Sequence, residues 1–336
     1  MKIGVLGAGT WGMALAALLI NNLHDVTVWS AISEEIDCLR QTNVHKNLPG
    51  VTLPSKIKYS KNISDAAQGM DIILVVVPSS FVRSTANLLA PHIEDGTIVV
   101  TAAKGIEGGS LMTMTEVIED EISKSRANLY YKVAALSGPT HAEEVALGMP
   151  TSIVAACDDE SVSVKIAEVF ANSCMRVYTN NDVKGVEICG AMKNIIALAA
   201  GINNGMGLGD NSKAMLMTRG IAEITRLGLA MGCERKTFMG LAGIGDLIVT
   251  CTSKHSRNNR CGELIGRGKG YEEASREIGM VVEGYHALEA AMQLSRKYNV
   301  ELPITEAVHK VIKNGLSPKL AMHALMTRDL KSELVD

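Results

Sequence analysis

The first dozen residues constrain the fold of this chain most strongly. The apolar run KIGVLG (2–7) leads directly into GAGTWG, and a helix-like apolar stretch opens at Thr10. This order of strand, glycine turn and helix is typical of a dinucleotide-binding turn. Gly7 would make the tight turn, Gly9 would let the backbone approach a pyrophosphate, and Gly12 would let the helix pack on the sheet. The alternative is a glycine-rich turn that binds nothing.

The rest of the first half alternates apolar runs with segments of helical periodicity. Further strands are predicted at 25–29, 71–77, 96–103, 133–138, 151–156 and 175–180. Runs such as DIILVVV (71–77) have no polar alternation, which indicates burial on both faces, as in a parallel sheet. Strand–helix alternation predicts a doubly wound α/β sheet.

Helical periodicity dominates after residue 182. Helices are predicted at 182–202, 210–231, 234–242, 257–266, 271–278, 284–298, 303–313 and 317–326. We therefore expect an α/β fold with an N-terminal Rossmann-type domain (1–185) and an all-helical C-terminal domain (186–336) that binds substrate and carries the catalytic group.

Composition narrows the classes of function. The net charge is −3 and no basic stripe is present, which argues against a nucleic-acid partner. No run approaches the ~18 apolar residues of a membrane span, and the first residues lack a secretory signal pattern. The seven cysteines show no CxxC and no metal-ligand spacing. We expect a cytoplasmic protein with reduced thiols and no metal.

One lysine stands in a segment that should be buried. In GAMKNIIALAAG (190–201) the polar residues are Lys193 and Asn194, and Lys193 is the sole charge from Ile188 to Gly209. A buried ammonium needs a partner or a lowered pKa, and such groups are candidate catalysts. The alternative is a lysine whose ammonium reaches the surface.

The natural counter-charge for Lys193 is Asp246. It is the only acid between Glu234 and Glu263, and it stands among glycines before an apolar run. A buried ion pair is weak support for stability and fits a functional site better.

Three further segments could complete a site. Lys104 follows the predicted strand 96–103, at the edge where ligands of open α/β sheets bind. In SGPTHAEE (137–144), Thr140 and Glu143 have the spacing of a capping box, so Thr140 could simply cap a helix. A polar loop after Asp246 could hold a phosphate through arginine, or be an ordinary solvated loop. Its residues are Lys254, Ser256, Arg257, Asn258, Asn259 and Arg260.

The choice between NAD and NADP stays open in the sequence. The second strand ends Val28-Trp29-Ser30-Ala31, with neither a carboxylate to exclude a 2′-phosphate nor an arginine to bind one. Glu34 and Glu35 fall in the following helix.

Taken together, these motifs resemble those of the bacterial-type NAD(P)-dependent glycerol-3-phosphate dehydrogenases. The resemblance covers essentially the whole chain. The motifs, in the family's order and spacing, are GAGTWG, AAKG (102–105), SGPTHAEE, GAMKN, GLAGIGDL, SRN (256–258) and VVEG (281–284). Two departures are Thr10, where many members have serine, and Ser30-Ala31-Ile32, where many have an arginine.

The resemblance implies a role for each matching position. Lys193 would donate and accept the proton at the substrate oxygen, with Asp246 and Lys104 beside it. The implied substrate pocket consists of Lys104, Gly138, Thr140, Lys193, Asn194, Asp246, Ser256, Arg257 and Asn258. The implied cofactor contacts, beyond the three glycines, are Thr10, Trp11, Lys104, Ala142, Arg257, Val281 and Glu283. The family also implies NAD or NADP, dihydroxyacetone phosphate and sn-glycerol 3-phosphate, a homodimer, and a product used for membrane lipids.

Two other functions compete with this one. A related dehydrogenase acting on a hydroxy acid would suit the two-domain plan, although the SRN segment favours a phosphate. A nicotinamide-nucleotide sensor would need the glycine turn but would have no use for Lys193 and Asp246.

Overall fold

One eight-stranded sheet forms the first half of the protein. The computed structural model describes residues 1–330, 332 and 333. The strand order is β3-β2-β1-β4-β5-β6-β7-β8. The strands are β1 (Lys2–Leu6), β2 (Asp25–Trp29), β3 (Lys58–Ser60), β4 (Ile72–Val75), β5 (Ile98–Thr101), β6 (Lys132–Ser137), β7 (Thr151–Ala156) and β8 (Met175–Asn180). All neighbours are parallel except β6 and β7, which are antiparallel.

Helices cover both faces of this sheet. They are α1 (Thr10–Asn21), α2 (Ser33–Thr42), α3 (Val82–Leu89), α4 (Met114–Ser125), α5 (Ala142–Ala146) and α6 (Glu160–Phe170). Successive strand residues point to opposite faces, so Val5 packs in the core under α1 and Leu6 in the core under α3 and α4. The predicted doubly wound sheet is confirmed. The short edge strand β3 was not predicted.

The second half of the described chain is helical. Its helices are α7 (Val183–Gly205), α8 (Asp210–Ala230), α9 (Arg235–Phe238), α10 (Asp246–Thr252), α11 (Arg257–Gly266), α12 (Tyr271–Ile278), α13 (Glu283–Tyr298), α14 (Pro303–Asn314) and α15 (Pro318–Met326). The predicted helix 234–242 is wrong beyond Phe238, because a π-helical turn, Leu241–Gly245, follows and opens directly into α10. The domain boundary at 185/186 stays a prediction; α7 spans it.

Helix α7 is the centre of the helical half. Every residue from Gly185 to Asn203 is buried, under α8, α10, α11 and α13. By length and apolar composition α7 could cross a membrane, and it is the only helix in the described chain that could. Here neighbouring helices cover it completely, which is the normal position of a core helix.

Two glycine pairs bring α7 and α11 into backbone contact. Gly201 and Gly205, one turn apart on α7, face Gly262 and Gly266 on α11. A Cβ added at Gly201 would lie 2.0 Å from the carbonyl oxygen of Asn259. One added at any of the other three would lie 2.1 to 2.3 Å from a backbone oxygen of the opposite helix. Side chains are therefore excluded from this contact, and the helix separation is fixed by backbone atoms.

The sheet register brings the strand ends to one edge. Leu6 pairs with Trp29 and with Val75, and Val75 pairs with Thr101. The segments that follow β1, β2, β4 and β5 therefore lie side by side. This is the edge at which α/β sheets bind their ligands.

Candidate active site

Two lysines and one aspartate meet where the sheet edge contacts the helical half. The Nζ of Lys193, on α7, lies 2.6 Å from Oδ1 of Asp246, the first residue of α10. The Nζ of Lys104, after β5, lies 2.7 Å from Oδ2 of the same carboxylate. The side chains of Lys193 and Asp246 are 8% and 2% exposed. The predicted pairing of Lys193 with Asp246 is confirmed, and Lys104 joins it as a second cation.

Burial and charge act in opposite directions on this cluster. Burial lowers the pKa of Lys193 to about 8; the positive charge of Lys104 adds to this effect, and Asp246 opposes it. Burial alone would raise the pKa of Asp246, but the two lysines lower it below its ordinary value. The carboxylate therefore stays charged near neutral pH, whereas Lys193 can exchange its proton close to pH 8.

Thr250 is a member of the cluster that the sequence analysis missed. The Lys193 ammonium donates to Thr250 Oγ1 at 2.7 Å, and the Thr250 hydroxyl donates to the Asp246 carbonyl at 2.6 Å. The signal was present: Thr250 stands four residues after Asp246, which is the same face of a helix. Two of the three ammonium protons of Lys193 are thus directed to fixed acceptors.

The segment after β6 supplies a carbonyl to the same place. Gly138 has φ +153°, and its carbonyl accepts from Lys104 Nζ at 3.0 Å and from the Thr140 hydroxyl at 3.2 Å. The expected capping box is wrong: α5 starts after His141, and neither Thr140 nor Glu143 caps it. Thr140 is held near Lys104 because its hydroxyl turns back to Gly138 instead of reaching into the helix.

The predicted polar loop is the first turn of α11. Ser256 is its N-cap, and its hydroxyl oxygen accepts from the Asn259 N–H at 3.2 Å. Arg257 is the first helical residue, and within the described chain no carboxylate lies within ion-pair distance of it. Burial lowers the pKa of Arg257, against the opposing charges of Glu283 and Glu143. A half-buried guanidinium at a helix N-terminus is suited to bind an anion.

Asn194 and Asn258 connect three helices. Asn258 Nδ2 donates to Asn194 Oδ1 at 3.0 Å, and Asn258 Oδ1 accepts from Gly284 N–H at 2.9 Å. Asn194 also donates to the Gly190 carbonyl at 3.2 Å. These buried amides align α7, α11 and α13 around Lys193. Their expected contacts with substrate stay a prediction.

The glycine turn has the geometry that the sequence predicted. Gly7 has φ +122°, a conformation that favours glycine. A Cβ at Gly12 would lie 2.0 Å from the Gly7 carbonyl oxygen, so only glycine lets α1 sit this close. A Cβ at Gly9 would meet nothing within 4 Å. The space over Gly9 is thus open to a ligand.

The start of α1 has free hydrogen-bonding groups. Its N-cap is Gly9, which has no side chain to cap it, and its first turn contains no acid. The buried Thr10 Oγ1 has no hydrogen-bond partner among the described residues. Trp11 is half-buried against the core. Free N–H groups, an unpaired hydroxyl and open space over a glycine fit the pyrophosphate of a dinucleotide.

The remaining predicted cofactor contacts surround this region. Ala142 opens α5, which packs against α1. Glu283 opens α13, two residues after the half-buried Val281. The Glu283 carboxylate accepts from Ser79 N–H at 3.1 Å and from the Ser79 hydroxyl at 2.5 Å, just after β4. Ser79, which the sequence analysis missed, thus ties the helical half to the sheet edge.

A carboxylate lies at the end of β2, contrary to the sequence prediction. The Ser30 hydroxyl donates to Glu35 Oε2 at 2.8 Å. Glu35 belongs to α2, as expected, but the chain turns back after β2 and returns its side chain to the strand end.

No group of three potential metal-ligating side chains occurs among residues 1–330, 332 and 333.

Comparison with known proteins matches both halves of the chain. A family model for the NAD-dependent glycerol-3-phosphate dehydrogenase N-terminus matches residues 2–163, and one for the C-terminus matches residues 182–323. A glycerol-3-phosphate dehydrogenase (NAD(P)+) of Lactobacillus delbrueckii subsp. bulgaricus is 57% identical, over 99% of both chains. The Bacillus subtilis enzyme is 45% identical, over 100% of this chain and 96% of its own. The crystal structure of the Coxiella burnetii enzyme aligns with TM-score 0.91 at 35% identity, over 97% of this chain and 99% of that one.

Proposed function

Because the chain belongs to the NAD-dependent glycerol-3-phosphate dehydrogenase family, we propose that Lys193 is the proton donor and acceptor as dihydroxyacetone phosphate and sn-glycerol 3-phosphate are interconverted. The observation that supports this most is the buried Lys193–Asp246 pair, followed at the start of the next helix by Arg257, which has no ion-pair partner among the described residues. It combines an exchangeable proton with a cation suited to a phosphate.

The chemistry at Lys193 follows from its surroundings. A bound nicotinamide dinucleotide supplies or accepts the hydride. As the ketone carbon is reduced, negative charge grows on its oxygen, and Lys193 stabilises that charge and gives it a proton. In the reverse direction, neutral Lys193 takes the proton of the C2 hydroxyl. A pKa of about 8 lets Lys193 act in either direction near neutral pH.

The neighbours of Lys193 act on its position and charge. Asp246 and Thr250 hold the ammonium, so that its remaining proton has one open direction. Asp246 raises the pKa of Lys193, and the positive charge of Lys104 lowers it and so partly offsets that effect. Arg257 and the first turn of α11 would bind the phosphate and so orient the carbonyl toward α7.

The wider role is inferred from the family. We propose that the protein is a cytoplasmic homodimer that works mainly toward sn-glycerol 3-phosphate, which is used for glycerophospholipid synthesis. Family membership supports this proposal. Light scattering on a size-exclusion column should give twice the 35.8 kDa of the chain.

Lys193→Met tests the central step. We expect kcat with dihydroxyacetone phosphate to fall by ~10²-fold or more, because the proton donor is lost. The dissociation constant for NADH should stay within about twofold of the wild-type value, because cofactor binding depends on the glycine turn.

In the wild type, kcat for reduction should fall above about pH 8, because Lys193 must be protonated to act as the acid. The kcat for oxidation should rise through the same pH.

Lys184→Met is the matched control, on the first turn of the same helix. It breaks only a partly exposed ion pair with Glu116, so kcat should be nearly unchanged. A near-normal kcat in Lys193→Met would exclude the lysine as the proton donor. Turnover of a hydroxy acid in place of dihydroxyacetone phosphate would favour the competing carboxylate-substrate dehydrogenase.

A further inference from the structure

The end of β2 lies next to the glycine turn. The N–H of Gly7 donates to the Trp29 carbonyl at 2.8 Å, so Ser30 follows directly beside the turn. In a dinucleotide-binding sheet the adenosine ribose lies over this strand end, and its 2′ substituent is read there. The side chains at this position therefore decide between a ribose hydroxyl and a ribose phosphate.

Glu35 is fixed at this position by two hydrogen bonds in series and by its place in a helix. The N–H of Ile32 donates to Ser30 Oγ at 3.1 Å, and the Ser30 hydroxyl donates to Glu35 Oε2 at 2.8 Å. Glu35 also lies in the first turn of α2, where the helix dipole stabilises a negative charge. Its other oxygen, Oε1, has no hydrogen-bond donor among the residues that the structure describes, and it remains available to accept one.

His45, which is within electrostatic reach of Glu35, does not cancel its charge. His45 is buried, and its ring Nδ1 accepts from the N–H of Asn47 at 3.2 Å. Burial lowers the pKa of His45, although the charge of Glu35 opposes this effect. The imidazole is therefore neutral near pH 7.

The cations on the adjoining segments have other partners or stand in solvent. Lys61 pairs with Asp37 at 2.7 Å, and the Arg40 guanidinium donates to the Tyr59 carbonyl at 2.8 Å. Lys46 is exposed. Glu35 is thus a carboxylate without a basic partner at the point that a 2′-phosphate would occupy.

We propose that Glu35 makes this protein selective for NAD(H) over NADP(H). The inference rests on the proposed use of the glycine turn for a nicotinamide dinucleotide. The free carboxylate oxygen accepts a hydrogen bond from the ribose 2′-hydroxyl. A 2′-phosphate carries roughly −1.5 to −2 charges at pH 7, and a fixed carboxylate repels it.

Direct binding of both cofactors tests this selectivity without substrate. The dissociation constants of NADH and NADPH would be measured by nicotinamide fluorescence at one fixed salt concentration, because screening weakens the repulsion. For the wild type we expect NADH to bind at least about tenfold more tightly, since like charges in contact cost several kcal/mol. Glu35→Gln keeps the shape of the side chain but loses its charge. In this variant the ratio of the NADPH to the NADH dissociation constant should fall by about tenfold, chiefly because NADPH binds more tightly.

Glu34→Gln is the matched control. Glu34 stands one residue away in the same helical turn, is exposed, and has the same charge. In Glu34→Gln the ratio of the NADPH to the NADH dissociation constant should stay within about twofold of the wild-type value. Equal affinities in the wild type, or equal shifts in both variants, would overturn the inference, as would failure to bind either cofactor.

The outcome is separable from the proposed reaction. Lys193→Met should show the same ratio of NADH to NADPH dissociation constants as the wild type, because Lys193 is hydrogen-bonded to Asp246 and Thr250 and not to residues at the end of β2. Absence of turnover with dihydroxyacetone phosphate, together with a ratio that depends on Glu35, would count against the proposed reaction and support the selectivity.

Discussion

At the scale of single residues, the proposed sites of substrate and cofactor each contain one charge without a matched partner in the described chain. Arg257 has no ion-pair partner in the described chain, and Glu35 has no basic one. A charge left unpaired inside a protein is costly. Both residues are therefore best explained by a ligand that completes them: a phosphate for Arg257 and a ribose hydroxyl for Glu35.

Arg257→Ala should raise KM for dihydroxyacetone phosphate by roughly ten- to a hundredfold, because a charge-assisted hydrogen bond contributes about 1.5–3 kcal/mol. kcat should change less, since the proton donor stays in place. Arg260→Ala, at an exposed position in the same helical turn, is the control and should leave KM alone. Steady-state kinetics of both variants decide this; an unchanged KM in Arg257→Ala would remove the residue from the phosphate site.

The sequence predicted part of this chemistry at residue level. Lys193 and Asp246 were identified because each is a lone charge in an apolar segment, and burial forces such charges together. Glu35 was placed in the correct helix but not at the strand end. Its contact with Ser30 depends on the path of the four intervening residues, which no periodicity encodes.

At the scale of helices and strands, Glu187 joins the two halves of the molecule. It lies in the second turn of α7 and is 5% exposed. Its carboxylate accepts from the N–H of Thr115 at 2.9 Å and from its hydroxyl at 2.5 Å, at the start of α4. Burial raises the pKa of Glu187 to about 7, against the opposing effect of these hydrogen bonds.

Glu187→Gln should therefore change the pH dependence of stability. A pKa raised above the unfolded value of 4.5 favours the protonated form in the fold. Its contribution is complete below pH 4.5 and is lost as the pH rises through about 7. Glutamine does not titrate, so the stability of the variant relative to the wild type should improve by up to about 3 kcal/mol between pH 5 and pH 8. Urea unfolding of both proteins at the two pH values measures their free energies of unfolding. If the difference between variant and wild type is the same at both pH values, the raised pKa of Glu187 is contradicted.

Elements with a continuous pattern were the ones that could be predicted. Strands such as β4 are apolar throughout because helices cover both faces. Strand β3 is three residues long, polar and at the sheet edge, so it has no such pattern. Helix α10 was missed because it follows a glycine-rich π-helical turn, and glycines in a sequence usually indicate a loop.

At the scale of the whole molecule, the site belongs to neither half alone. Lys104 comes from the sheet edge and Asp246 from the helical half, 142 residues later. A small core of Ala135, Val154, Ala156, Val186 and Ala242 spans the same junction. These residues could be identified as candidates from the sequence. Their contact across the two halves could not be predicted, because it depends on the complete fold.

This junction predicts that the two halves unfold together. Calorimetry should show one transition, because separate melting would break the Lys104–Asp246 ion pair and expose the apolar core that spans the junction. NADH at a hundred times its dissociation constant should add about 2.7 kcal/mol to that single transition. Lys193→Met should respond to NADH equally. Two transitions, with only the first shifted by NADH, would show that the halves are energetically independent.

The glycine contact between α7 and α11 has a consequence for the range of substrates. One helix carries Lys193 and the other begins at Arg257, so the distance from the proposed proton donor to the proposed phosphate-binding group is set where Gly201 and Gly262 lie backbone to backbone. Pocket side chains can be exchanged without altering this distance, but a larger residue at either glycine would force the helices apart. Attempts to evolve the enzyme toward longer phosphorylated ketones should therefore fail when they vary only the pocket lining. They should succeed only through changes that move an entire helix.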